Sequence, residues 1–536
     1  MNKHPLILEP SGQRIQVTEK TSYLEAIRQS GQYISTECGG KGTCGKCKII
    51  IKPSPKISEN EREYLKSEEI ELGVRLACEH AIASLSRVVL FSGPVDSRIL
   101  TEAVLDNVEI SIDKSIQGQY GLAVDIGTTT IVAYLMDLGS GEQIASSSTL
   151  NPQISYGEDI VTRITAALEN ESNQVALKLQ LIESIEELER QMLDEIGVKE
   201  DVITRISVVG NTAMHHFFLG LDTSPLSVAP YSPLSTEAVV MKTNQLGFKK
   251  TNAEIYMGPL IAGFVGSDIT ALVLSQRLDQ SDEVVLGIDI GTNGEIVLSK
   301  KGELFSTSTA AGSAFEGATI SRGMRGQIGA IEHITISGVN DAPDITVIGH
   351  EIPRGLCGSG IVDVVSELRR MNLVTPQGLL LESKRVIKDT EAGLGYIVVN
   401  IQEHDCDERI LFTQKDIRQV QSAKAAIMAG IEILMRNAEI DVDSLDRVLL
   451  AGAFGNYIRP EAALRIGLIP EVSLARIQQI GNTAGQGAKM MLLSSVERRE
   501  AEKIPKRVKH VSLAGNKDFQ SLFIDNTLFP DFLFKN

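Results

Sequence analysis

Tryptophan is absent from these 536 residues, and aromatic side chains make up only 4% of them. A chain so poor in flat rings lacks the stacking platforms on which single-stranded nucleic acids are held. Basic residues are also in deficit, 52 Lys and Arg against 69 Asp and Glu, for a net charge of −17. That sign argues against nucleic acid and anionic membrane as main partners. No apolar run approaches the length of a membrane span. The opening MNKHPLILEPSGQRIQV has no long apolar stretch behind basic residues, so no secretory leader is expected. Six cysteines are too few for a disulfide scaffold of this length. Together these deficits predict a cytoplasmic, reducing location. What remains is an ordinary globular composition, 43% hydrophobic and 23% charged, long enough for about three to four domains.

Four of the six cysteines fall within the first 78 residues, as Cys38, Cys44, Cys47 and Cys78, in the spacing C-x5-C-x2-C-x30-C. Such a cluster in a reducing compartment points to metal or redox chemistry. Four thiolates also suit a structural zinc ion, but zinc ribbons usually bring two C-x-x-C pairs. Here there is one pair, preceded by the glycine-rich ECGGKGTCGKC. Glycines let backbone amides turn toward inorganic sulfides and so help set a cluster potential. Around this loop the pattern reads strand (5–8), strand (14–17), helix (22–28), loop, strand (48–51). The loop is one residue longer than the plant-type ferredoxin spacing. It resembles the vertebrate-type and related bacterial [2Fe–2S] ferredoxins, and the resemblance implies a β-grasp fold over about residues 1–90, with the four cysteines as cluster ligands.

The rest of the chain is organised around GLAVDIGTTTIV (121–132) and its echo LGIDIGTNGEIV (286–297). Each is a buried strand, a tight polar turn and a second strand. Each delivers one carboxylate, Asp125 or Asp289, to a strand end. The turns that follow place Gly127, Thr128, Thr129 and Thr130, or Gly291, Thr292 and Asn293, where backbone N–H groups and hydroxyls can approach phosphate oxygens. An aspartate that close to phosphates needs a cation between, and Mg²⁺ held through its waters meets the need. The motif therefore predicts two facing phosphate clamps sharing one metal; two unrelated hairpins are the plainer alternative.

Other stretches supply further candidates. Gln153 and Asp159, just past the first clamp, are placed either to orient an attacking water or to cap a helix. The small-residue run STSTAAGSAFEG (306–317) suits close backbone approach to a ligand at Gly312, and makes Glu316 a candidate for hydrogen bonds to a ribose or adenine. LLAGAFG (449–455) is a third glycine turn after an apolar strand, offering Gly452, Ala453, Phe454 and Gly455. GNTAGQGA (481–488) opens a helix free of bulk, able to pack closely at a hinge. His215 and His216 are adjacent and face different ways on a helix, which fits core positions better than a shared metal. Residues from about 92 to 119 carry few core patterns and read as a connector. Cys357 and Cys406 lie far from the N-terminal quartet and are expected to be inert thiols.

In this order DIGTTT, DIGTNGE and LLAGAFG resemble the phosphate 1, phosphate 2 and adenosine motifs of the actin-like ATPase superfamily. That resemblance implies two RNase H-like lobes around an ATP cleft that closes on its nucleotide. The overall class is then α/β, α+β when the ferredoxin is counted. The implied division is a ferredoxin domain (1–90), linker (91–118), lobe I (119–280), lobe II (281–515) and a C-terminal tail (516–536). A ferredoxin fused ahead of this fold, with NPQ…YGED, VVGNTAMHH, TSTAAGSAFEGA, GLCGSGIVD, TQKDIRQVQSAKAAI and LAGNKDF, resembles the reductive activators of corrinoid proteins. The resemblance implies a [2Fe–2S] cluster, ATP and Mg²⁺ as cofactors, and ATP-dependent reduction of Co(II) to Co(I) in a corrinoid protein of a methyltransferase system. An electron donor such as a ferredoxin or flavoprotein, and a homodimer, are implied with it. A superfamily kinase with a regulatory ferredoxin and an activator of another low-potential enzyme are the alternatives.

Overall fold

The computed structural model describes residues 3–9, 11–30, 32, 34, 36, 38–82, 84–90, 111–113, 119–198, 202–249, 252–291, 293–389, 393–404, 406 and 408–531. Thr292 and most of the expected linker lie outside them, as does the side chain of Ala453.

The N-terminal strands alternate apolar and polar residues, so one face of their sheet is buried. β1 (Lys3–Glu9), β2 (Gln13–Thr18), β3 (Lys48–Lys52), β4 (Val74–Leu76) and β5 (Ser86–Leu90) form a sheet of order β2-β1-β5-β3-β4. Only the β1–β5 pair is parallel, the β-grasp arrangement. Helix α1 (Tyr23–Gln29) crosses that sheet, capped by the Ser22 hydroxyl on the Glu25 amide, and buries Tyr23, Leu24, Ala26 and Ile27. The charged stretch 53–73 holds two short helices, Glu61–Tyr64 and Ser67–Glu71.

Two six-stranded sheets follow, built on one plan. In the first, β6 (Tyr120–Ile126) pairs antiparallel with β7 (Thr130–Asp137), which pairs with β8 (Gln143–Leu150). On its other side β6 runs parallel to β9 (Ile203–Gly210), and β10 (Val239–Lys242) and β11 (Glu254–Met257) complete the order β10-β11-β9-β6-β7-β8. In the second, β12 (Val284–Ile290), β13 (Gly294–Lys300) and β14 (Glu303–Thr309) repeat the antiparallel meander. β12 runs parallel to β15 (Arg447–Ala451), and β16 (Ile477–Gln479) and β17 (Val508–His510) close the order β16-β15-β12-β13-β14-β17.

Outer helices cover both sheets. α2 (Ile160–Glu169) and α3 (Glu171–Glu195) lie on lobe I, where α4 (Thr212–Leu219) follows β9. α5 (Ser267–Ser275) leads out of lobe I, and α6 (Gly358–Arg370) and α7 (Gln414–Asn437) belong to lobe II. The lobes meet over a core in which α5 and α8 (Thr483–Leu493) lie between Ala123, Val132 and Tyr134 of one sheet and Val285, Val297 and Leu449 of the other. Gly487 sits against Ala271 so closely that a Cβ would come within 2.5 Å of it, which is why GNTAGQGA has no bulk.

The segment set apart as a tail is packed. α9 (Phe519–Asp525) lies on α7, Phe529 is buried in the lobe II core, and the buried Lys424 ammonium bonds the Leu528 carbonyl. Its apolar residues pair with a helix nearly a hundred positions upstream, so no local pattern announces them. Of the expected connector, residues 111–113 are fastened to the ATPase-like body through the Asp113 amide on the Leu493 carbonyl (3.0 Å). Among the described residues no helix is long and apolar enough to cross a membrane.

Candidate functional site

The thiols of the N-terminal loop stand in two pairs. Cys47 and Cys78 sulfurs are 3.4 Å apart, and Cys38 is hydrogen-bonded to Cys44. In each pair one thiol is held low by its partner, Cys38 to about 4 and Cys47 also downward, while Cys44 and Cys78 are pushed up. Backbone amides of Gly40 and Thr43 also favour the Cys38 thiolate. Gly39, Gly40, Gly42 and Gly45 all adopt positive φ, the winding that turns these amides inward. A donor set of two thiol pairs fits two irons with two thiolates each. A single zinc would draw all four sulfurs to one centre.

The second site is a cleft of about 300 Å³ between the lobes, within the range of small-molecule sites. Its phosphate-like end is lined by Asp125, Gly127, Thr128, Thr129 and Thr130 of the first turn and by Asp289, Gly291 and Asn293 of the second. The first turn is tight: Gly127 N–H bonds Thr130 O at 2.8 Å, and a Cβ on Gly127 would lie 2.7 Å from that oxygen. Thr128 Oγ1 accepts from Asn211 Nδ2 (2.9 Å), and Asp125 Oδ2 accepts from Asn482 Nδ2 (2.9 Å). Gly452 carries φ +80°, and a Cβ there would fall 2.3 Å from Asp289 Oδ1, so the turn after β15 must be glycine.

Four carboxylates share this floor. Burial pushes Asp125 up to about 7, with the Asp289 charge adding and Asn482 opposing. Burial raises Asp289 to about 6. Asp268 rises to about 7 through burial and the charges of Asp289 and Asp125. Glu295 is pushed well up by burial and by Asp268 and Asp289. So much uncompensated negative charge in one recess suits a hard divalent cation. Among the described residues no three acids converge on a point.

The far end of the cleft is apolar. Phe315 and Phe454 stack with centroids 5.4 Å apart and planes 21° apart. A Cβ on Gly358 would strike both Phe315 O (2.1 Å) and the Phe454 ring (2.2 Å), so α6 can start here only with glycine. Ile348, Met324, Cys357 and Tyr457 complete the wall. Burial holds the Cys357 thiol up, hence protonated.

Several expected site residues are engaged elsewhere. Gln153 is fully buried inside lobe I, its amide donating to Leu177 O (2.9 Å) and accepting from Arg163 (3.4 Å). Asp159 caps α2 through the Thr162 amide (2.8 Å) and hydroxyl (2.7 Å). Neither lines the cleft. A polar residue at a helix start reads the same for water-orienting and capping, and in this structure the two side chains brace and cap. Glu316 does line the cleft, but at the phosphate-like end, where it accepts from Thr129 Oγ1 (2.9 Å) across the lobes. Gly312 and Gly455 do not line it. Gly312 is an open turn residue at φ +77°. His215 and His216 are core residues of α4.

Neither Glu295 nor Asp268 stands among the sequence candidates, though both line the cleft. The hairpin register that places Glu295 opposite Asp289 was the available signal. Also missed was the ion pair of Glu158 with Arg325 (3.1 Å), which joins the lobes.

Comparisons with known proteins agree with this two-part site. Residues 6–83 match a 2Fe-2S iron-sulfur cluster binding domain, 120–281 the RACo middle region, and 283–535 the C-terminal domain of RACo, the ASKHA domain. The corrinoid activation enzyme RamQ of Eubacterium limosum is 36% identical over 77% of this chain and 70% of its own length. A Methanosarcina barkeri protein, [Co(II) methylated amine-specific corrinoid protein] reductase, is 24% identical over 76% of each chain. A solved structure titled reductive activator for corrinoid,iron-sulfur protein superposes with a TM-score of 0.72 over 98% of both chains, at 28% identity. This chain belongs to the family of reductive activators of corrinoid proteins.

Proposed function

We propose that this protein uses ATP to return the cobalt of a corrinoid protein from Co(II) to Co(I), adding one electron, so that the corrinoid can again accept a methyl group in a methyltransferase system. The observation that carries this reading is the presence, on one chain, of a paired-thiol ferredoxin loop and an inter-lobe cleft with facing phosphate turns. Cys38, Cys44, Cys47 and Cys78 hold the cluster, whose chemistry when bound is one-electron transfer. Gly40 and Thr43 amides stabilise thiolate charge beside it.

In the cleft, Asp125 and Asp289 would hold Mg²⁺, with Asp268 and Glu295 deepening the negative field. Gly127, Thr128, Thr129, Thr130, Gly291 and Asn293, with Thr292 as the sequence motif suggests, would take the phosphates. Gly452 and Phe454 would serve the adenosine. Hydrolysis of ATP to ADP and phosphate accompanies lobe movement. For a one-electron couple every 59 mV is a tenfold change in equilibrium, so an unfavourable cobalt potential demands a state of the complex that binds Co(I) in preference to Co(II). The electron reaches the cluster from a separate carrier, a ferredoxin or flavoprotein, in the cytoplasm, and the active form is a homodimer.

The test is anoxic. Protein, a Co(II) corrinoid protein and a strong reductant are mixed, and visible spectra are read before and after MgATP. A Co(I) band that requires ATP is expected. ATP hydrolysis with cobalt unchanged across several corrinoid partners overturns the assignment in favour of another low-potential acceptor.

A further inference from the structure

The ferredoxin domain touches both lips of the cleft, through the cluster loop and through Arg28 and Thr36 beside it. On the lobe I side, Arg28 of α1 donates from Nε to Ser155 O (2.5 Å) and from Nη2 to Gly39 O (2.9 Å), next to Cys38. Its guanidinium lies 4.6 Å over the Tyr156 ring. The buried Thr36 hydroxyl donates to the same Ser155 carbonyl (3.0 Å). Gly39 packs so tightly that a Cβ would lie 2.9 Å from Thr162 and 3.0 Å from Tyr156 O. On the lobe II side, Lys46, between Cys44 and Cys47, donates to Ala318 O (2.9 Å).

Neither anchor is an arbitrary piece of surface. Ser155 and Tyr156 belong to the turn Pro152–Tyr156. Asn151, at its start, is bonded to the first phosphate turn twice, by its amide to Thr129 O (2.8 Å) and by Nδ2 to Gly127 O (2.8 Å). Just after the turn comes Glu158, paired with Arg325 of lobe II. Arg163 braces the turn from within, through Gly157 O (2.8 Å). Ala318 lies two residues beyond Glu316, which itself reaches Thr129. The segments that meet across the phosphate end of the cleft are thus the same segments on which the cluster loop sits.

We infer that Arg28 and Lys46 are positioning residues that seat the cluster loop astride the cleft, one lip each, so that ferredoxin docking and lobe closure over a nucleotide are one coupled equilibrium. This rests on reading the cleft as the ATP site. Opening the lobes separates Ser155 from Ala318, and the loop can then keep only one anchor. Coupling of this kind is reciprocal: whatever docking adds to nucleotide affinity, the nucleotide adds to docking. It gives ATP a direct hold on where the electron-carrying loop stands, through about one turn of chain on each side.

The experiment uses the full-length protein with its cluster as wild type, Arg28→Ala, Arg28→Lys and Lys46→Ala. The visible spectrum and thermal melt report folding and cluster content. Two quantities are then measured: MgATP affinity, and the EPR signature and midpoint potential of the reduced cluster with and without MgATP. Wild type is expected to show a nucleotide-dependent cluster signature. Arg28→Ala should lose that dependence and bind ATP at least about fivefold more weakly, as typical coupling energies require. Lys46→Ala should fall in between. Arg28→Lys should not rescue, because one ammonium cannot replace a fork that bonds two carbonyls and stacks on Tyr156. Full rescue by lysine would refute the specific geometry. A wild-type cluster indifferent to nucleotide, or an Arg28→Ala protein with normal ATP affinity and normal nucleotide response, overturns the coupling. Failure of the wild type to bind ATP at all instead removes the functional reading beneath it.

Discussion

The two phosphate turns share a strand plan and differ in what surrounds them. Asp125 and Asp289 sit at matching places, each on a strand flanked by an antiparallel hairpin partner and a parallel neighbour. In lobe I the hairpin partner of Asp125 is Val132, and the turn is held by neutral donors, Asn211 on Thr128 and Asn482 on Asp125. In lobe II the partner of Asp289 is Glu295, close to Asp268 at the start of α5. The two turns thus differ in charge: neutral amides hold the first, while acids crowd the second.

The largest expected effect comes from removing the paired acids. Asp125→Ala and Asp289→Ala should each lower ATP turnover by about a hundredfold or more, with the cluster spectrum unchanged in both. If the turns differ in charge as described, Mg²⁺ dependence separates them. Asp289→Ala should need more Mg²⁺ for whatever activity survives, and Asp125→Ala should be less affected in that respect. Equal Mg²⁺ response in the two variants would erase the distinction.

A smaller effect is expected at Glu316, the lobe II carboxylate that occupies the lobe I turn. Glu316→Gln keeps an acceptor for Thr129 but removes a charge that repels phosphate. At a few ångströms that repulsion amounts to about 1–4 kcal/mol between water-like and surface-like dielectrics, so ATP should bind at least about fivefold more tightly, as read by titration calorimetry. Weaker binding would instead return Glu316 to the ribose, where the small-residue loop first suggested it.

How far the sequence carried these points can be followed residue by residue. Cys38, Cys44, Cys47 and Cys78, the paired DIG turns and the adenosine turn are short-range patterns; the structure sets the thiols in two pairs and brings residues of all three turns to one cleft. Gln153 and Asp159 were illegible for a physical reason: a carboxylate or amide at a helix entry satisfies backbone N–H groups whether or not a cleft is nearby. The place of Glu316 against Thr129 depends on how one lobe docks on the other, which no local pattern gives. Asp268 arrives at the floor from a helix start whose Gly-Ser-Asp is common in any loop. The bond from Arg28 to Ser155 joins residues 127 positions apart, and no periodicity encodes it.

The lobes differ last in what covers their outer helices, and here the effect is smallest. α3 of lobe I leaves Val175 and Leu179 exposed (52% and 39%), whereas α7 of lobe II is covered by α9 and the segment after it. At that seam Lys424 is buried against Phe529, 5.3 Å from the ring centroid, and bonded to Leu528 O. Burial, with Arg369 adding repulsion, brings the ammonium down to about 7. The unfolded chain binds this proton up to about pH 10.4, the folded chain only to about 7. Between those values the unfolded state holds the extra proton, so stability rises with pH, by at most about 1.4 kcal/mol per unit for one proton. Lys424→Met fills the same space without a charge. Thermal melts from pH 7 to 10 should show a shallower rise for Lys424→Met than for wild type, with the variant the more stable below pH 7. Parallel curves would mean that the Leu528 carbonyl and the Phe529 face compensate the charge fully, and that lobe II's cover is no weaker for enclosing it.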